Sequence, residues 1–152
     1  EGCPAGWEFG DSETCVTEKG NRFVRFHETA NADGVAKGKS LRQTDIAIPA
    51  GARKLKLATR MRTLNCVSRA KTGARFPQAA LCFKDKEGKL VSYLREGRTF
   101  FFLCTEWNRK STWNCFENEA VIPKEAVSVN IDLDNGRCFG VIDFDDVSVF
   151  FE

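Results

Sequence analysis

The residues best able to do chemistry are flat aromatic rings set among planar polar groups. Trp107 and Trp113 stand in the polar stretch Glu106–Asn114, and Tyr93, the sole tyrosine, alternates with Val91 and Arg95. Arg60 and Arg62 recur every second residue in Lys54–Leu64. Rings of this kind stack on apolar C–H faces, and Arg and Tyr hydrogen-bond paired hydroxyls. The bland alternatives stand beside this reading. Two arginines on a strand are by default its solvated face, and a tryptophan is as often a packing residue. Trp7 and most of the thirteen phenylalanines read as core.

Acids are the second group. Asp143, Asp145 and Asp146 lie within the closing stretch Gly140–Glu152. Adjacent carboxylates inside a strand are costly unless solvent, a cation or an arginine receives them. Three readings stay open for Asp145 and Asp146: a calcium ion held by clustered oxygens, a pair with an arginine such as Arg22 or Arg42, or a fixed bulge before the final strand. Catalysis finds little support. There is one histidine, His27, no Gly-x-Ser-x-Gly, no phosphate-cradling glycine loop and no His-Glu-x-x-His. The three acids share one strand, whereas glycosidases bring two carboxyls from different elements across a bond. The expectation is that the chain is not an enzyme.

The elements that must position these residues are strands. Period-two patterning recurs along the chain and no convincing helix emerges. Lys54–Leu64 is the cleanest case. Leu55, Leu57, Thr59 and Met61 fall on one face; Lys54, Lys56, Ala58, Arg60 and Arg62 fall on the other, as in an antiparallel sheet with one face on the core. Further strands are expected at 22–28, 40–48, 79–85, 90–95, 100–105, 111–116, 128–134 and 138–151. A hairpin turn is read at Asp85–Gly88 and a tight turn at Asp134-Asn135-Gly136. Nine to eleven short strands predict an all-β, antiparallel β-sandwich in one domain, residues 1–152. The longest loops fall at Thr29–Lys39 and Asn65–Pro77.

Composition narrows the function classes. A formal charge of +2, with no run of like charges, gives no electrostatic instruction to bind nucleic acid. No apolar stretch approaches the ~18 residues of a membrane helix. The chain opens at Glu1 without Met or a signal peptide, which reads as an excised domain or a mature form. Seven cysteines (3, 15, 66, 82, 104, 115 and 138), without Cys-x-x-Cys spacing, argue against a zinc site. They read either as small buried hydrophobes or as one or two disulfides of a secreted protein, with Cys3–Cys15 and Cys104–Cys115 the pairs to examine.

The C-terminal third carries a resemblance. Trp107 or Trp113, then Val121-Ile-Pro-Lys-Glu-Ala-Val, then Gly140 and Phe144-Asp-Asp-Val147, resemble the closing strands of jelly-roll carbohydrate-binding modules. The resemblance implies a jelly roll that binds polysaccharide or oligosaccharide without catalysis and serves a larger glycan-degrading enzyme. It also implies a monomer, secreted or at a cell surface. Gln43 matches a glutamine common after the family's second crossover. The concave sheet would then bring Gln43, Arg60, Arg62, Tyr93, Arg95, Trp107 and Trp113 into one groove. An acid of the closing strand, here Asp145 or Asp146, often helps hold a structural Ca2+, but the family's Asn-x-x-Phe-Glu opening is missing before Pro4. Lys56, Arg60, Arg62 and Arg95 on the groove face would suit uronate or sulfated chains. The alternative is a structural or protein-interaction sandwich, a spacer without a sugar site.

Overall fold

The computed structural model describes residues 5–9, 13–29, 36, 38–68, 76–91, 101–105 (backbone only) and 111–152. Ten strands are described: β1 (Trp7–Glu8), β2 (Glu13–Glu18), β3 (Asn21–Glu28), β4 (Ser40–Ala47), β5 (Lys54–Ser68), β6 (Gln78–Lys84), β7 (Phe101–Thr105), β8 (Asn114–Val121), β9 (Ser128–Asp134) and β10 (Cys138–Phe151). They form two antiparallel five-stranded sheets, ordered β1-β4-β9-β6-β7 and β2-β3-β10-β5-β8. The expected all-β sandwich is the observed architecture.

Alternation decides which side chains close the core. In β5, Leu55, Leu57, Thr59, Met61 and Thr63 are buried. Opposite them in sequence parity, Lys56, Ala58, Arg60 and Arg62 face outward. Ile142 and Phe144 of β10, with Val24 and Phe26 of β3, continue the same inner layer, and the Phe26 and Phe144 rings meet edge-on at 5.7 Å. The other sheet answers with Leu41, Leu81, Phe83, Val129, Ile131 and Leu133. Burying such side chains contributes about 1.5–3 kcal/mol each before chain entropy is counted.

Two irregularities shape β10. At Gly140 (φ 104°) the strand slips register against β5, and a Cβ there would sit 2.5 Å from the Asn65 carbonyl oxygen. Only glycine fits so close an approach. The second slip falls between Asp145 and Ser148, where Asp146 has φ 48°. This is a bulge, and it keeps both the preceding acids and the following Ser148 and Phe150 on the outer face.

Several expected boundaries shift. β5 runs on to Ser68, past the positive-φ Asn65, so the start of the supposed 65–77 loop is strand. β8 begins at Asn114 and continues to Val121 rather than spanning 111–116. The edge strands β1 and β2 have no clear counterpart in the sequence pattern. After the Asp85–Gly88 turn, Leu90 makes a bridge with Lys84, while most of the expected 90–95 strand lies outside the described residues. So does most of the 29–39 loop.

Candidate functional site

The outer face of the β2-β3-β10-β5-β8 sheet gathers arginines, carboxylates and aromatic rings. Register sets it up: Asp143 lies between Arg25 of β3 and Arg62 of β5, and Asp145 lies opposite Arg60. Asp143 has no exposed surface. Its oxygens accept hydrogen bonds from Arg25 Nε and Nη2 (2.7 and 2.9 Å) and from Arg62 Nε and Nη2 (2.9 and 2.6 Å). Arg62 also reaches Glu18 at 2.9 Å. A carboxylate so enclosed is held by charge-assisted, forked contacts that compensate its loss of water.

Trp113 lies over this lattice. Its ring meets Phe23 edge-on at 5.3 Å, with the Arg62 guanidinium 4.8 Å and the Arg60 guanidinium 5.2 Å from its centroid. Arg25 and Arg62 in turn cover the Phe23 ring at 5.4 and 5.2 Å. Such cation–π contacts are worth about 0.5–1 kcal/mol at a surface. They hold the indole across the sheet while leaving it half-exposed. Farther along the same face the floor narrows to Ala58 and Ser148, and Phe150 follows, opposite Lys56 and 54% exposed. Six residues of β5 separate the rows of Lys56 and Arg62, roughly 20 Å. Trp113 and Phe150 therefore bracket a shallow strip, with the exposed thiol of Cys115 opposite Arg60 between them.

The expected groove is only partly assembled. Arg60, Arg62 and Trp113 come together. Gln43 does not join them: it lies on β4 of the other sheet, opposite Trp7 and Ile131, half-buried. Tyr93, Arg95 and Trp107 lie outside the described residues. Phe23 and Phe150 went unnoticed in the sequence because one read as core and the other as part of an apolar terminus. Trp7, expected in the core, is half-buried on edge strand β1 and packs against the core from there.

The charge reading changes too. Lys54 pairs with Glu119 (2.6 Å), Lys56 with Glu117 (2.7 Å), and Arg60 with Asp146 (3.1 Å) and Asp145 (3.8 Å). With Arg25 and Arg62, five cationic side chains meet six carboxylates: Glu18, Glu117, Glu119, Asp143, Asp145 and Asp146. The positive excess inferred from alternation is offset by neighbours that only strand order reveals.

Asp145 and Asp146 realise two of their three readings at once. The partner is Arg60 rather than Arg22 or Arg42; Arg42 is clamped by Asp132 on the other sheet. Asn21 Nδ2 donates to Asp145 Oδ2 (2.7 Å), the Asp146 amide donates to Asp145 Oδ1 (2.9 Å), and Thr59 Oγ1 donates to the Asp145 carbonyl (3.1 Å), fixing the bulge. Their oxygens meet Arg60, Asn21 and the bulge amide, and among the described residues no three acidic, histidine or cysteine side chains converge to hold a metal ion.

The cysteines divide. Cys138 is buried, Cys66 and Cys82 are half-buried, and Cys115 is exposed. Cys115 is a free thiol, so the Cys104–Cys115 link is not formed. Cys3 lies outside the described residues. Burial, aided by Asp132 3.7 Å away, pushes the Cys82 thiol up to about 11. No helix among the described residues is long and apolar enough to cross a membrane.

No protein-family model matches the sequence, and no curated protein matches it. Solved structures do. The enzymatically active domain of bacteriophage CBA120 tailspike protein 4 superposes with a TM-score of 0.65 at 14% identity, over 97% of this chain and 20% of that one. The CBM22-1–GH10 modules of Clostridium thermocellum xylanase 10B, solved with xylohexaose, give 0.60 at 16% identity, over 97% of this chain and 26% of that one. This chain thus spans a fifth to a quarter of those two proteins. The CBM22-1 xylan-binding domain of Paenibacillus barcinonensis Xyn10C gives 0.57 at 11% identity, with 99% of this chain and 88% of that one covered. At such identities the likeness is one of fold, and the fold of this chain is that of the jelly-roll carbohydrate-binding modules.

Proposed function

We propose that residues 1–152 form one non-catalytic carbohydrate-binding module that docks polysaccharide on the outer face of the β2-β3-β10-β5-β8 sheet. The observation that carries the reading is Trp113: a half-exposed indole held on the outer face by an edge-on contact with Phe23 and by the guanidinium groups of Arg60 and Arg62. A sugar's C–H face stacks on the ring, and the exposed edge of Arg60 donates to hydroxyls. Phe150 offers a second platform about 20 Å along, room for several sugar units. Because the cations of the face are matched by carboxylates, the ligand is a neutral glycan rather than a uronate or sulfated one. The module is secreted or at a cell surface, monomeric, and appended to a glycan-active enzyme. This context rests on the modular neighbours, one of which carries its module beside a GH10 module.

One observation favours the second reading, a spacer without a sugar site. Arg25, Arg60 and Arg62 already have protein partners, so the lattice is self-sufficient. Affinity electrophoresis against neutral, uronic and sulfated polysaccharides, with Trp113→Ala beside the wild type, separates the two. Retardation by a neutral polymer, lost in a folded Trp113→Ala protein, is the expected result. Free migration in every gel establishes the spacer.

A further inference from the structure

We propose that the cleft between the two sheets, at the side where β1 and β2 lie, is a second binding site that takes a small aromatic carboxylate. A cavity of about 230 Å³ opens there. Topology builds it: β1 and β2 are the edge strands that head their respective sheets. Trp7 of β1 and Cys15 of β2 stand on its two sides. Val24, Leu41, Leu133 and Phe144, all buried, line its depth. Among the described residues no buried side-chain nitrogen or oxygen lacks a partner, so this floor asks for nothing polar. Water in such a space finds few of the two to four polar partners that hold it, and an apolar group replaces it at a gain.

Size and charge narrow the occupant. An apolar cavity of about 150 Å³ holds a benzene ring, so this one admits a single ring with a short tether. The aromatic walls, Trp7 and Phe144, favour a ring over an alkyl chain. Arg22 sets the charge of the entrance. It lies two residues before Val24 on β3, hence on the same inward side, and at the start of the strand it is exposed. Its guanidinium presents N–H donors in a planar fork that matches a carboxylate. Asp145 and Asp146 also border the cavity, but Asn21 and the bulge amide already donate to Asp145, and Arg60 meets Asp146. An anionic head beside Arg22, with its ring inside, therefore suits both ends of the cleft. The site is separate from the outer face and does not depend on the sugar reading.

The test titrates the whole chain by calorimetry with three probes: 3-phenylpropanoate, its neutral amide and 3-phenylpropylamine. Probes of this size bind in the millimolar range. The carboxylate is expected to bind about three- to five-fold more tightly than the amide, and the amine most weakly. Location is read from Cys15, a thiol that lines the cavity. Saturating 3-phenylpropanoate is expected to slow its alkylation several-fold while Cys115, opposite Arg60 on the outer face, reacts at its usual rate. Arg22→Gln, its thermal midpoint first matched to the wild type, is expected to bind carboxylate and amide equally. No binding of any probe would overturn the proposal, as would tightest binding of the amine. Protection of Cys115 in place of Cys15, or a carboxylate preference that survives in Arg22→Gln, would overturn it too.

Discussion

Asp143 is the residue whose loss is most sharply constrained by the geometry. It has no exposed surface and accepts four hydrogen bonds from two guanidinium groups. Asp143→Asn keeps the shape but removes the charge and turns an amide N–H2 toward donors that need an acceptor. Removing one partner of a fully buried ion pair costs about 3–5 kcal/mol. Here the arginines retain 26% and 13% of their side-chain exposure, and Arg62 keeps Glu18, so part of that loss is recovered in water. The expected cost is about 2–3 kcal/mol, which for a chain of this length lowers the thermal midpoint by roughly 5–10 °C. Asp146→Asn is the control: its carboxylate is 64% exposed and meets Arg60 at the surface, where such pairs contribute about 0–1 kcal/mol. Urea denaturation followed by tryptophan fluorescence measures both. Equal stability of Asp143→Asn and wild type, or equal losses at the two positions, would refute the reasoning that the buried lattice organises the face.

Gly140→Ala forces a Cβ to 2.5 and 2.7 Å from backbone oxygens of Asn65 and Leu64 at φ 104°, so a loss above about 2 kcal/mol is expected in the same denaturation assay. Gly51→Ala, also at positive φ but with nothing within 4 Å, is expected to lose only about 1 kcal/mol. Cys82, with its thiol raised from 9.0 to about 11, is expected to alkylate slowly at pH 8 and to accelerate as pH approaches 11. The unfolded chain loses this proton at lower pH than the folded chain does. The contribution of Cys82 to stability is therefore complete below pH 9 and declines as pH rises through 11; in Cys82→Ala that decline is expected to shrink.

Local pattern carried the strands, and long-range order carried the site. The alternation of Lys54–Leu64 revealed which side of β5 is buried because one apolar face must meet the core. It could not reveal that Arg60 faces Asp145 or that Arg62 shares Asp143 with Arg25, since those contacts cross 81 to 118 residues of sequence. The same limit misassigned Gln43. Its strand parity was readable, but its sheet was not. Trp113 stood out by composition, whereas its seating depends on an edge-on contact with Phe23, which looks like any strand phenylalanine. β1 and β2 escaped because a two-residue edge strand has no period to detect, and Glu13–Glu18 has polar side chains on both faces. The paired acids showed their tension in advance; bulge and arginine together relieve it.

Where a glycan sits is read most directly from the Cys115 thiol, exposed opposite Arg60 between Trp113 and Phe150. The polysaccharide that most retards the protein in gels is added, Cys115 alkylation is timed by peptide mass spectrometry, and acetylation of Lys84, on the other sheet, is followed in the same digest. Slowing at Cys115 by several-fold with Lys84 unchanged is the expected result. Protection of Lys84 alone, or of neither residue while the polymer is bound, would contradict a binding face on the β2-β3-β10-β5-β8 sheet.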